Sequence, residues 1–130
     1  MGLKEKRLIN GLEESDIPFH KRNYKEFVGG DLDIEVNWDE WSDDHEGLLN
    51  LNGYVLQQFT DSLNQIGLDA AAKEALTDGV KTLKVTRAES AADKAIVLKD
   101  GTLELTVAPV EKWDGVIHST DIKEYLLKAL

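Results

Sequence analysis

Residues 94–107, KAIVLKDGTLELTV, contain the strongest short-range structural signal in the chain, because an Asp-Gly pair separates two runs rich in strand-forming residues. Asp-Gly is a preferred pair for a two-residue hairpin turn, since both central positions need a positive φ. Strands over 94–99 and 102–107 would place Leu98 opposite Leu103 and Ile96 opposite Leu105. This stretch therefore predicts an antiparallel β-hairpin with one apolar face.

A further strand is predicted upstream, over residues 31–38 (DLDIEVNW), because acidic or polar residues alternate strictly with apolar ones. Side chains two apart on a strand point to the same face, so Asp31, Asp33 and Glu35 would form a row of carboxylates. Residues 80–87 alternate in the same way and predict one more strand.

The other segments show the apolar spacing of amphipathic helices. We expect helices over residues 3–14, from Asp16 to the Gly29-Gly30 pair, over 69–79, and from Ser119 or Thr120 to the end of the chain. A further helix ends at Gly67 and begins either at Ser42 or Asp43 or, because glycines weaken its first half, near Gly53. Asp16 is expected to cap the second helix, because Pro18 would then fall in its first turn.

These elements follow one another in the order α-α-β-α-α-β-β-β-α. A chain of 130 residues has the length of one domain. We therefore predict a single α+β domain over residues 1–130, in which helices pack on one face of a mainly antiparallel four-stranded sheet.

The charge of the chain is unevenly distributed. The formal net charge is −10, and the excess lies in residues 26–72, which contain eleven Asp or Glu and no Lys or Arg. Like charges this close together repel one another, unless they are well solvated or a cationic group meets them. The segment is therefore either a solvated surface that keeps an edge strand from aggregating, or a surface for a positively charged partner.

If the segment is a surface for a positively charged partner, the chain is a small acidic protein-binding module, such as an inhibitor or immunity-type protein, that presents an acidic face to a basic protein partner. Asp33, Glu35, Asp39, Asp43 and Asp44 would supply the charge. Trp41 would be the apolar anchor, because Trp is enriched among the residues that dominate binding energy at interfaces.

Two alternatives belong to other functional classes. The first is a divalent-cation-binding protein or metal-dependent hydrolase with ligands from Asp39, Asp43, His45 and Glu46. Neighbouring side chains on a helix point about 100° apart, and no HExxH or calcium-loop pattern is present. The sequence therefore favours a metal site less than a protein-binding surface. The second is a homo-oligomeric structural subunit that associates through the apolar hairpin face or the terminal helix; the oligomeric state is open.

Composition narrows the other possibilities. The chain contains no Cys, so disulfides and thiolate chemistry are excluded. A sequence pI near 4.7 disfavours nucleic acid and anionic membranes as partners. The sequence contains no GxSxG nucleophile motif that would indicate an enzyme, and we expect no cofactor. The charged N-terminal segment does not resemble a secretory signal, which predicts a cytoplasmic location.

Overall fold

The computed structural model describes residues 2–130, which fold into helices and one four-stranded sheet. The α-helices are α1 (Leu3–Gly11), α2 (Ile17–Phe27), α3 (His45–Leu51), α4 (Gln57–Ile66), α5 (Ala70–Gly79) and α6 (Ser119–Ala129). The strands are β1 (Asp33–Val36), β2 (Thr82–Arg87), β3 (Ala95–Lys99) and β4 (Thr102–Val107). The predicted α+β class is confirmed, and the order of helices and strands roughly matches the prediction.

The sheet is mixed, so the prediction of a mainly antiparallel sheet is wrong. The strand order is β1-β2-β4-β3, with β1 parallel to β2, β2 parallel to β4, and only β3 and β4 antiparallel. Parallel neighbours need a long crossover, and the segment with α3, α4 and α5 supplies one between β1 and β2. A hairpin signal determines the relation of its own two strands and leaves the others open.

The hairpin itself forms in the predicted register. Leu98 pairs with Leu103 and Ile96 with Leu105 across β3 and β4. At the turn, Asp100 has φ 51° and Gly101 has φ 81°, as a two-residue hairpin turn with two positive φ angles requires.

One face of the sheet is buried and the other is open. Along β2 and β4, Leu83, Val85, Leu103 and Leu105 are at most 1% exposed, whereas Lys84 on the opposite face is exposed. The buried side chains form one cluster with apolar residues of the helices. This burial sets the core between the helices and one face of the sheet.

The first two predicted helices join without a break. Asp16 has helical φ and ψ angles of −70° and −46° and makes no side-chain cap, so the predicted cap is wrong. A π-helical turn, Leu12–Asp16, connects α1 to α2, and the Ile17 N–H donates to the Leu12 carbonyl. This wider turn accommodates Pro18, whose ring would otherwise clash with the carbonyl four residues before it.

Candidate functional site

Four of the predicted partner-binding carboxylates lie at the surface. Asp33 and Glu35 are exposed on β1, and Asp39 and Asp43 are exposed in the turns that follow. Within residues 2–130, none of these four makes an ion pair with a Lys, Arg or His side chain. We call these four residues the acidic segment; their negative charge is solvated and unpaired.

Asp44, the fifth predicted carboxylate, is not part of that surface. It is 8% exposed, its Oδ2 lies 2.8 Å from Arg87 Nε, and its Oδ1 accepts a hydrogen bond from the Gly47 N–H at 2.9 Å. Hydrogen bonding to Asp44 raises the pKa of the Arg87 guanidinium. The prediction of Asp44 as a partner-binding charge is corrected: Asp44, and not Ser42 or Asp43, caps α3 and is neutralised within the fold.

Trp41, the predicted apolar anchor of the interface, lies instead in the core, where it is 0% exposed. A 3-10 turn, Trp38–Trp41, follows β1 and turns the indole inward. Within the part of the chain described, the Trp41 indole N–H is buried without a hydrogen-bond partner. Trp38 is the half-buried one of the two and packs against the edge of the core.

β1 is an edge strand, because β2 pairs along one side of it and no strand within residues 2–130 pairs along the other. A parallel ladder uses the backbone groups of alternate residues. The Asp33 N–H donates to the Lys81 carbonyl, so the N–H and C=O groups of Ile34 and Val36 point away from β2. Among the residues that the structure describes, the Ile34 N–H donates only to the carboxylate of Asp33, at 3.1 Å.

A groove of about 440 Å³ borders β1. Apolar and acidic side chains line it together with one lysine: Glu13, Ile17, Ile34, Glu35, Val36, Asn37, Trp38 and Lys84. Glu13 and Ile17 come from the π-helical turn region and have no sequence signal that links them to β1. Sequence reasoning missed them because only the packing of the long helix brings them to this strand.

A second groove, of about 660 Å³, lies at the other end of β1 and carries both charge signs. Lys21, Lys25 and Lys81 line it together with Asp31 and Asp33, and Lys25 Nζ lies 3.3 Å from the Asp31 carboxylate. Both members of this ion pair are well exposed, so it contributes little stability. The acids are therefore partly offset here, whereas the first groove contains one lysine and two glutamates.

The predicted metal-ligand cluster does not form. The His45 imidazole contacts the carboxylate of Glu5 at 3.3 Å and is not joined to Asp39, Asp43 and Glu46. No group of three or more His, Asp or Glu within residues 2–130 is arranged to hold a metal ion. The four candidate ligands are thus spread over a turn and a helix start, as diverging neighbours on a helix would be.

Of the two apolar surfaces predicted for self-association, the hairpin face packs into the core, where Leu103 and Leu105 are at most 1% exposed, and the terminal helix lines a surface groove. An apolar groove of about 310 Å³ runs between α5 and α6 and includes Ala71, Ala75 and Leu127. Leu127 and Leu130 are 58% and 44% exposed. Nothing in the structure shows what covers this groove, so the homo-oligomer stays a prediction.

Comparison of the chain with protein-family models, curated proteins and solved structures finds no match in any of the three. Within residues 2–130, no helix has both the length and the apolarity needed to cross a bilayer. A proposal for the function therefore depends on the geometry and charge of the surface around β1.

Proposed function

We propose that this chain is a binding protein that receives a basic protein partner on its acidic segment, Asp33, Glu35, Asp39 and Asp43. The observation that carries the proposal is that these four carboxylates, two on β1 and two in the turns after it, are exposed and unpaired within residues 2–130, and that no strand in this part of the chain pairs with the outer edge of β1. An inhibitor or immunity-type role, in which the acidic segment covers a cationic site on its target, fits this arrangement.

The charges of the acidic segment contrast with three other acids of residues 26–72. Asp44 and Glu40 bind Arg87 within the fold, and Asp69 caps α5 by accepting from the Ala72 N–H. These three carboxylates make contacts that stabilise the fold, so we expect their removal to destabilise it. The four carboxylates of the acidic segment make few such contacts, so their clustering is better explained by a cationic partner.

Charge of this kind acts mainly on encounter. A surface of one sign raises the rate at which an oppositely charged partner associates by about 10- to 1000-fold, and salt screens the effect. We therefore expect association that slows steeply as ionic strength rises, with a smaller effect on dissociation.

The test compares two variants of equal charge. The first neutralises the acidic segment with D33N, E35Q, D39N and D43N. The control neutralises four exposed acids elsewhere, with E14Q, E74Q, D78N and E124Q. Each protein is immobilised, used to capture proteins from a native lysate, and then measured against the purified captured protein at several salt concentrations.

The proposal predicts a basic protein that the wild type and the control variant bind and that the acidic-segment variant loses. Its association rate should fall by at least about tenfold in that variant and lose most of its salt dependence. Equal binding by all three proteins, or capture of no basic protein, would contradict the proposal. The compartment that contains such a partner would also test the predicted cytoplasmic location.

A further inference from the structure

We infer that the free edge of β1 is a docking site for an extended basic segment of the partner, which adds to the sheet as a fifth strand. This inference rests on the proposed function and specifies how the partner binds: through main-chain hydrogen bonds to β1 and side chains in the groove beside it.

The backbone of β1 is open on this side. Ile34 and Val36 direct their N–H and C=O groups away from β2, because Asp33 uses its own N–H in the ladder with Lys81. These groups offer up to four main-chain hydrogen bonds to an incoming strand. In the isolated chain, the Asp33 carboxylate holds the Ile34 N–H at 3.1 Å, and an added strand would replace it.

The groove supplies an apolar surface next to that edge. Ile34 and Val36 are half-buried on the core-facing side of β1, and Ile17 and Trp38 line the same groove. Side chains of an added strand that point to this side would be buried against these four residues. Apolar burial then adds to the affinity that the backbone bonds provide.

The charge selects the occupant. On the face of β1 that points away from the core, Asp33 and Glu35 are exposed. Glu13 adds a third carboxylate at the groove. The one lysine among the lining residues, Lys84, pairs with Glu35 in the strand register but forms no ion pair within residues 2–130. A second copy of β1 would bring like charges together, which is destabilising, whereas a basic segment brings opposite charges.

The two faces of β1 predict the sequence of the docked segment. Because strand side chains alternate, Lys or Arg should occur at every second position, opposite Asp33 and Glu35, with Val, Ile or Leu between them. β1 is four residues long, so the paired part of the segment should span about four to six residues.

The test uses synthetic seven-residue peptides in which Lys or Arg alternates with Val, Ile or Leu. Binding to the full chain is followed by NMR titration, together with hydrogen exchange at the Ile34 and Val36 amides. Each peptide is compared with a copy that carries N-methyl groups on the amides of one edge. N-methylation keeps the charge and removes the donors that strand addition needs.

Two protein variants provide a matched pair. Glu13 lines the groove and its neighbour Glu14 does not, although both are exposed and both lie in the same helical turn. E13K should weaken peptide binding by about threefold to tenfold, while E14K should change it by less than about twofold. Thermal melts of both variants verify that each remains folded.

The inference predicts slowed exchange at Ile34 and Val36 on peptide addition and at least about a tenfold loss of affinity on N-methylation. If N-methylated and unmodified peptides bind equally and E13K matches E14K, strand addition is overturned, although the proposed function stands on charge alone. If no peptide of the set binds with a Kd below about 1 mM, strand addition is likewise overturned. Protection of the edge amides that depends on protein concentration without peptide would show that a second copy occupies the edge, which also overturns it.

Discussion

Arg87 and Asp44 form a partly buried ion pair, with the guanidinium Nε of Arg87 2.8 Å from Oδ2 of Asp44. The pair joins the end of β2 to the start of α3, which are 43 residues apart in the chain. Because Asp44 also caps α3 through the Gly47 N–H, one carboxylate stabilises two separate elements.

Replacing Asp44 should therefore cost much more stability than replacing its exposed neighbour Asp43. We expect D44A to lower the free energy of unfolding by about 2–3 kcal/mol, because it removes a helix cap and leaves Arg87 without its main partner. D43A should change it by less than about 0.5 kcal/mol. Urea unfolding of both variants measures the difference, and equal values for the two would contradict the structure.

His20 should make stability depend on pH. The ring is 2% exposed, with Nδ1 2.7 Å from the Thr60 hydroxyl and Nε2 2.8 Å from Oδ1 of Asn52. Since Oδ1 only accepts, Nε2 carries the proton of the neutral ring and Nδ1 accepts from Thr60. Burial lowers the pKa of His20 below 6.5, and the smaller opposing effects of the Asn52 hydrogen bond and of the Asp16 and Asp61 charges do not offset it.

The sign of the pH effect follows from this. In the unfolded chain His20 binds a proton at a higher pH than in the fold, so stability is fully present above about pH 6.5 and falls as the pH drops through the folded pKa. Urea unfolding at about pH 7.5 and about pH 5 should show a smaller loss for H20Q than for the wild type. T60V, which keeps the histidine, should be less stable at both pH values and retain the acid-side loss; parallel profiles for wild type and H20Q would contradict this role.

The hydroxyl of Tyr24 links α2 to the end of α5. It lies 2.9 Å from the carbonyl oxygens of both Leu76 and Val80, and the side chain is 1% exposed. Y24F should lower the free energy of unfolding by about 1–2 kcal/mol, because the Val80 carbonyl loses the hydroxyl as its donor and the Leu76 carbonyl is left with the Val80 N–H alone. Y54F removes a hydroxyl that makes no hydrogen bond within residues 2–130 and should change stability by less than about 0.5 kcal/mol. A Y24F variant as stable as Y54F would refute this assignment.

Lys112 adopts a backbone conformation that glycine prefers, with φ 54° and ψ −129°. A residue with a Cβ is strained there by about 1–3 kcal/mol, while glycine also gains freedom in the unfolded chain. We expect K112G to raise the free energy of unfolding by about 1 kcal/mol. Urea unfolding tests this, and a K112G variant that is less stable than the wild type would contradict it.

Gly115, three residues later in the same loop, should respond in the opposite direction. A Cβ at Gly115 would collide with the carbonyl oxygen of Ala108, which is backbone and has little room to move. The Ala108 N–H also donates to the Gly115 carbonyl at 2.7 Å, so the two segments are held together. G115A should therefore be clearly destabilised in the same urea experiment, and a neutral result would show that the loop can open.

The hairpin and the surface position of Asp33 and Glu35 could be predicted, because both depend on residues close together in the chain. The Asp100-Gly101 turn and the alternation in β1 are local signals. The locations of Trp41 and Asp44 could not be predicted in the same way. Whether a residue after a strand is buried depends on what packs over it, and for Asp44 the deciding partner is Arg87 in a distant strand.

Turn chemistry, periodicity and composition were enough to predict the α+β class, the register of the hairpin and the concentration of negative charge in residues 26–72, since these are properties of the chain. The packed fold was needed to show that β1 is an edge strand in a mixed sheet, which acids are bound within the fold, and that Glu13 and Ile17 lie beside β1. Those features depend on contacts between residues far apart in sequence, and such contacts are selected by the packing of the whole core and not by local preference.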